Sequence, residues 1–266
     1  MRTHGRTDAR RHGRTVSPTR RGIAAWLLAV PLCVGAPARL VSQETVGNPP
    51  DRSPYHDIIY RQSLTVFAGR WAGNAGSAGV GSLPGLALGA RLAIRLSGPV
   101  DFWVTLGQAA SSRRSIIADT AVTHTDSARW GPNLRMPLVL ADLALALNVT
   151  GDKTWHGLAP YVGAGLGIAA PTRKVTPDPG GFQVGTNFVI VPTIGTRYFV
   201  SNALALRFEV RDYLFRYSYP LAFFDSLTLH FAGPPPRSAV LPLGTSDRQW
   251  AHNLTVWVGV AYAFTF

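Results

Sequence analysis

The chain has 266 residues, a formal charge of +12, 46% hydrophobic but only 15% charged residues, and abundant glycine (27) and proline (20). So low a charged fraction is unusual for a soluble domain, and beyond the N-terminal region no run of 18 apolar residues is present to cross a bilayer as a helix, which argues against a helical membrane protein. The basic excess does not indicate nucleic acid either, because Arg2, Arg6, Arg10, Arg11, Arg14, Arg20 and Arg21, against Asp8, place half of it before Arg39.

That arginine-rich stretch runs into the apolar segment Ile23 to Val34 and then Ala36-Pro37-Ala38, the small-x-small form of a signal-peptidase site. Residues 1–38 therefore read as a cleaved secretory signal peptide, the alternative being an N-terminal anchor with a short apolar run. A start at Val16 would leave the conventional basic pair Arg20-Arg21. Cys33, the only cysteine, falls inside the signal, so the exported chain would carry no thiol into an oxidising compartment. Residues 39–59 are polar and proline-bearing, and read as a short periplasmic lead-in.

From residue 60 to Phe266 the periodicity is two. It is clearest in Leu86, Leu88, Ala90, Leu92, Ile94 and Leu96, which alternate with Gly85, Ala87, Gly89, Arg91, Ala93 and Arg95. Comparable series begin at Leu64, Phe102, Leu134, Val162, Phe188, Leu204 and Leu254, giving about eight strands of about ten residues each. The apolar phase slips between Leu140 and Leu143, which predicts a β-bulge at Ala141-Asp142. Connections alternate in length. Ser97-Gly98-Pro99, Asn148 to Ala159 and Ser201-Asn202 are the shorter ones. The longer ones are Trp71 to Pro84, Ser111 to Asn133, Pro171 to Thr186 and Ser218 to Gln249. The last is rich in aromatics and either extends the seventh strand or adds a hairpin, which would bring the count to ten.

The terminal strand reads Trp257-x-Gly259-x-x-Tyr262-x-Phe264-Thr265-Phe266. This pattern resembles the last strand of bacterial outer-membrane β-barrel proteins, particularly the small OmpA-like transmembrane barrels, although Trp257 stands where those proteins usually carry a polar residue. The resemblance implies an all-β, closed, antiparallel up-and-down transmembrane barrel in the outer membrane, with short periplasmic turns and long external loops. It also implies that Gly259, Tyr262, Phe264 and Phe266 form the signal read by the barrel-assembly machinery. Outer-membrane lipids and lipopolysaccharide are then expected partners, together with an external ligand held by the loops. A soluble lipocalin-like barrel has the same alternation turned inside out, and what separates the two is the export signal, the asymmetry of turns and loops and the terminal strand; with the faces of a membrane barrel reversed, every mid-strand charge would enter lipid.

In the membrane orientation Phe102, Tyr198, Phe208, Tyr262 and Phe266 lie near strand ends, and the charges face the lumen: Arg91, Arg95, Asp101, Asp142, Arg197, Arg207, Glu209 and Arg211. A barrel of about eight strands is filled by its own side chains. Arg91, Arg95, Asp142, Arg197, Arg207, Glu209 and Arg211 are accordingly expected to form an ionic network, with an anion-preferring pore as the alternative. The row Gly163, Gly165, Gly167 either leaves a cavity or makes room for Trp103 and Trp257, and the second is expected. The expectation is a structural or surface-interaction protein and not an enzyme. The His-x-Ser-Asn pairing of outer-membrane lipid A deacylases is absent, and His252 with a loop serine is the one pair worth testing for such lipid chemistry. No metal-ligand spacing, phosphate-binding loop or basic nucleic-acid helix occurs, and no cofactor is implied.

Overall fold

The computed structural model describes residues 53–116, 130–173, 178, 181–224, 240–241 and 244–264. The expected signal peptide, the lead-in up to Arg52, and Phe266 lie outside the described residues. Twelve strands are present among the described residues: β1 (Tyr55–Asp57), β2 (Gln62–Trp71), β3 (Gly85–Ser97), β4 (Val100–Ala110), β5 (Ser112–Ile116), β6 (Trp130–Arg135), β7 (Leu138–Asn148), β8 (Lys153–Trp155), β9 (Leu158–Pro171), β10 (Asn187–Phe199), β11 (Leu204–Ser218) and β12 (Arg248–Phe264).

Eight of them, β2, β3, β4, β7, β9, β10, β11 and β12, pair in that order as an antiparallel ring. It closes where β12 meets β2, from Phe264↔Gln62 to Thr255↔Trp71. Closure removes the exposed sheet edges that an open meander of this length would present. The aromatic-rich segment after the seventh barrel strand adds no strand to the ring among the described residues. Instead β11 and β12 stay paired from Leu204↔Tyr262 to Ser218↔Arg248, well past the point where β2 ends. The remaining four strands are outside the ring: β5 and β6 form a hairpin within the second long loop, and β1 pairs with β8 in the connection between β7 and β9. Sequence periodicity over three residues is too short to reveal β1 or β8.

The alternation sorts side chains by face. On β12 the residues Ala251, Asn253, Thr255, Trp257 and Ala261 are buried, while Leu254, Val256, Val258, Val260 and Tyr262 point outward and are exposed. Every barrel strand carries such an outward apolar set, including Leu64, Leu106, Leu143, Leu166, Ile194 and Phe208. From Leu254 to Tyr262 the strand rises about 20 Å along the barrel axis, taking about 3.3 Å per residue and a tilt of about 40°. With side chains this approaches the roughly 25 Å apolar band of a transmembrane barrel. Tyr198 and Tyr262 point outward near the end of the short turns, and Phe188 and Trp250 stand outward at the other, whereas Phe208, expected near a strand end, lies at mid-height beside Glu209 and opposite Val258.

The tight turn at the bottom of β3 depends on Gly98, whose φ of +50° is reached cheaply only without a Cβ. The barrel's register irregularity also sits here, between Arg95 and Ser97 on β3. The bulge expected at Ala141-Asp142 does not occur. β7 keeps continuous register with both β4 and β9. Leu138 and Leu140 are fully buried inward residues in phase with Asp142, and Leu143, Leu145 and Leu147 point outward. The apparent phase slip has a different cause: the inward face changes from polar to apolar partway up the strand.

Candidate functional site

The interior is built in three levels. At mid-height two bidentate pairs cross the lumen, each joining strands separated by two others in the ring. Arg91 on β3 donates to Glu209 on β11 at 2.7 and 2.6 Å. Arg211 on β11 donates to Asp142 on β7 at 3.1 and 2.6 Å. The remaining hydrogen-bonding capacity is largely taken up by neighbours: Arg91 Nε donates to Thr105, Arg211 Nε to Thr193, and the Tyr161 hydroxyl to Glu209 Oε2 at 2.8 Å. Arg211 also donates to the Tyr213 hydroxyl, and its Nε lies 3.9 Å from Glu209. Pairing and hydrogen bonding of this kind offset the cost of burying a charge.

Below this level Arg197 on β10 crosses to Asp101 on β4 at 2.9 Å, and Arg95 approaches the same carboxylate at 3.5 Å. Here the chain before the first barrel strand turns in under the ring. Ile58 and Tyr60 are buried against Ala159. Arg197 donates to the Tyr60 hydroxyl at 2.6 Å, Arg95 donates to the Ile58 carbonyl, and the Ile58 amide donates to Asp152. The end of the lead-in thus forms part of the barrel's floor.

Above the mid-level the interior is apolar. Trp71, Leu138, Leu140, Val189, Val191 and Phe215 join Val80, Met136, Phe182, Tyr217, Tyr219, Phe223 and Leu241 in one buried cluster, so the long connections fold over the mouth. Polar ties hold them there. Ser82 N donates to the Tyr217 hydroxyl, which donates to the Asn74 carbonyl, and Arg113 on β5 pairs with Asp178 of the third long connection at 2.9 Å.

Every residue expected in the ionic network faces the interior, and six of the seven join ion pairs: Arg91, Arg95, Asp142, Arg197, Glu209 and Arg211. Arg207 joins none. It is wholly buried, and its three guanidinium nitrogens have no hydrogen-bond partner among the described residues. Its neighbours are rings, with Trp103 at 5.4 Å and Tyr161 at 5.8 Å. Tyr60, Thr105, Tyr161, Thr193 and Tyr213 also join this network, beyond the residues expected in it. Their signal was phase: Thr105 is in step with Asp101, Thr193 with Arg197, and Tyr213 with Arg211.

The glycine row on β9 has a different use from the one expected. The Trp257 ring lies against Gly89 and Gly107 on β3 and β4, where a Cβ on Gly89 would come within 2.5 Å of it. A Cβ on Gly163 or Gly165 would instead meet β7, at Ala146 or Ala144, and one on Gly167 would meet Asp142. In register, Gly163 neighbours Thr193 and Gly167 neighbours Asp142, so Arg211 reaches its carboxylate across this bare stretch of wall.

Of the terminal-strand residues, Gly259 faces inward, where a Cβ would come within 2.5 Å of the Phe67 ring. Tyr262 points outward and stacks on Phe264. His252 pairs not with a serine but with Asp212, at 2.6 Å on the outer surface. Among the described residues no group of three or more histidine, cysteine or acidic side chains could hold a metal.

No family model and no curated protein matches the chain. Solved structures do. The chain is similar to Neisserial surface protein A at 12% identity, over 80% of this chain and 98% of that one, with a TM-score of 0.44. Against the outer membrane protein OprG from Pseudomonas aeruginosa the identity is 10%, over 80% and 99% of the two chains, with a TM-score of 0.46. Against the N-terminal β-barrel domain of OprF from the same organism it is 12%, over 77% and 98%, with a TM-score of 0.38.

Proposed function

We propose that this protein is an outer-membrane β-barrel with a closed interior, exported by a cleaved signal peptide and serving a structural or surface-interaction role through its long connections. The observation that carries the reading is the lumen itself. Three charge pairs cross it, the floor is packed by Ile58 and Tyr60, and the mouth is filled by an aromatic cluster. Outside, apolar side chains cover the wall, as lipid contact requires. Lipopolysaccharide and other outer-membrane lipids would surround that wall, and the assembly machinery would read Gly259, Tyr262, Phe264 and Phe266. Binding of an external partner falls to the connections that cap the mouth, since loops on a rigid scaffold are the usual carriers of recognition. Nothing in this arrangement requires a cofactor or a reaction.

A second reading, a narrow anion-preferring pore, draws on the excess of inward arginines, five against three acids among the described barrel residues. Planar-bilayer recording of the purified protein separates the two. A closed barrel leaves the bilayer at its baseline conductance. Steady channels whose conductance rises with salt would replace this reading with the pore.

A further inference from the structure

We infer that the lower level of the barrel interior binds a small inorganic anion, held by Arg207 and Arg197. The inference rests on interior geometry and is separate from the question of the long connections' partner. Arg197 and Arg207 are direct cross-strand partners on the inward face of β10 and β11. Like charges placed so oppose one another. Below the mid-level pairs stand three guanidinium groups, Arg95, Arg197 and Arg207, and one carboxylate, Asp101, which is shared by the first two.

The donors left over belong to the same neighbourhood. Arg207 Nε, Nη1 and Nη2, Arg197 Nε and Nη2, and the indole Nε1 of Trp103 are all buried without a hydrogen-bond partner among the described residues. Both arginines lie over the Tyr161 ring, Arg197 at 5.5 Å and Arg207 at 5.8 Å, and Arg207 also lies over Trp103. A ring face attracts a cation but does not balance its charge. Arginine cannot shed its proton to relieve the excess, since it stays charged in proteins. Water would satisfy the N–H groups and leave the charge uncompensated, whereas an anion does both. The enclosure favours a compact one: Tyr60 and Ile58 pack the floor, and the Arg91–Glu209 and Arg211–Asp142 pairs form the ceiling.

Bromide is a suitable probe, because it is chloride-like and locatable by anomalous scattering. Crystals of the detergent-purified full chain grown in sodium bromide should show a bromine peak within hydrogen-bond distance of the Arg207 nitrogens. In solution the unfolding midpoint should be higher in bromide than in gluconate, a far bulkier anion, at equal ionic strength, because a ligand held by the folded state alone stabilises it. Arg207→Leu should abolish that difference. Bromine peaks confined to exposed arginines such as Arg61 or Arg248 would overturn the proposal, as would a midpoint difference that survives in Arg207→Leu. The scattering experiment needs no variant, so it decides the matter even where Arg207→Leu does not fold.

Discussion

Glu209→Ala is expected to lower the unfolding free energy by about 3–5 kcal/mol, the range for breaking a buried pair from one side. Glu209 accepts both Arg91 nitrogens and the Tyr161 hydroxyl and lies 3.9 Å from Arg211, so its loss strands more than one group. The same substitution leaves five inward arginines facing two acids. The test is reversible urea unfolding in lipid vesicles, followed by tryptophan fluorescence. The companion variant Arg91→Leu/Glu209→Leu removes both charges and fills the space with apolar volume, and it should be destabilised less than Glu209→Ala alone. Equal loss in both would mean that the deficit comes from packing and not from a stranded charge.

Trp257→Ala is expected to cost a similar amount, about 3–5 kcal/mol, through transfer and cavity terms. Trp257 is fully buried, meets Phe67 edge-on at 5.1 Å, and fills the space above Gly89 and Gly107. Its cross-strand partners are Glu209 and Gly69, so it sits at the height of the mid-level pairs. The small residues on β3 and β4 and the large one on β12 are complementary, and the alanine variant has nothing with which to refill the gap. A loss below about 1 kcal/mol in the same unfolding assay would contradict this account of the packing.

The ring was legible in the sequence because a barrel wall obeys one rule at every strand: alternate residues face alternate media. Leu86 to Leu96 against Gly85 to Arg95 states that rule outright, and the placement of Arg91, Asp142 and Glu209 on the inner face follows from it. The rule says nothing about which medium the inner face meets at a given height. Leu138 and Leu140 therefore looked like outward residues displaced by a bulge, although they belong to the apolar upper lumen. Pairing across the lumen was equally hidden. Arg91 and Glu209 are 118 residues apart in the chain and Arg211 and Asp142 are 69 apart, so a list of inward charges gives no hint that Arg207 alone among them would be left without a carboxylate. The short pairing of β1 with β8 leaves too few residues for any periodicity, yet it accompanies the turn that brings Ile58 and Tyr60 under the barrel.

The central claim is that hydrocarbon lies outside this wall and the packed, charge-paired interior lies within. Nitroxide labels at single cysteines along β12, from Leu254 to Val260, with Cys33 replaced where it is retained, test it most directly through collision with oxygen and with a water-soluble nickel chelate in lipid vesicles. Labels at Leu254, Val256, Val258 and Val260 should collide freely with oxygen and little with the chelate, while labels at Thr255, Trp257 and Gly259 should be shielded from both. Chelate collisions at the outward positions, or a profile without a period of two, would contradict the account.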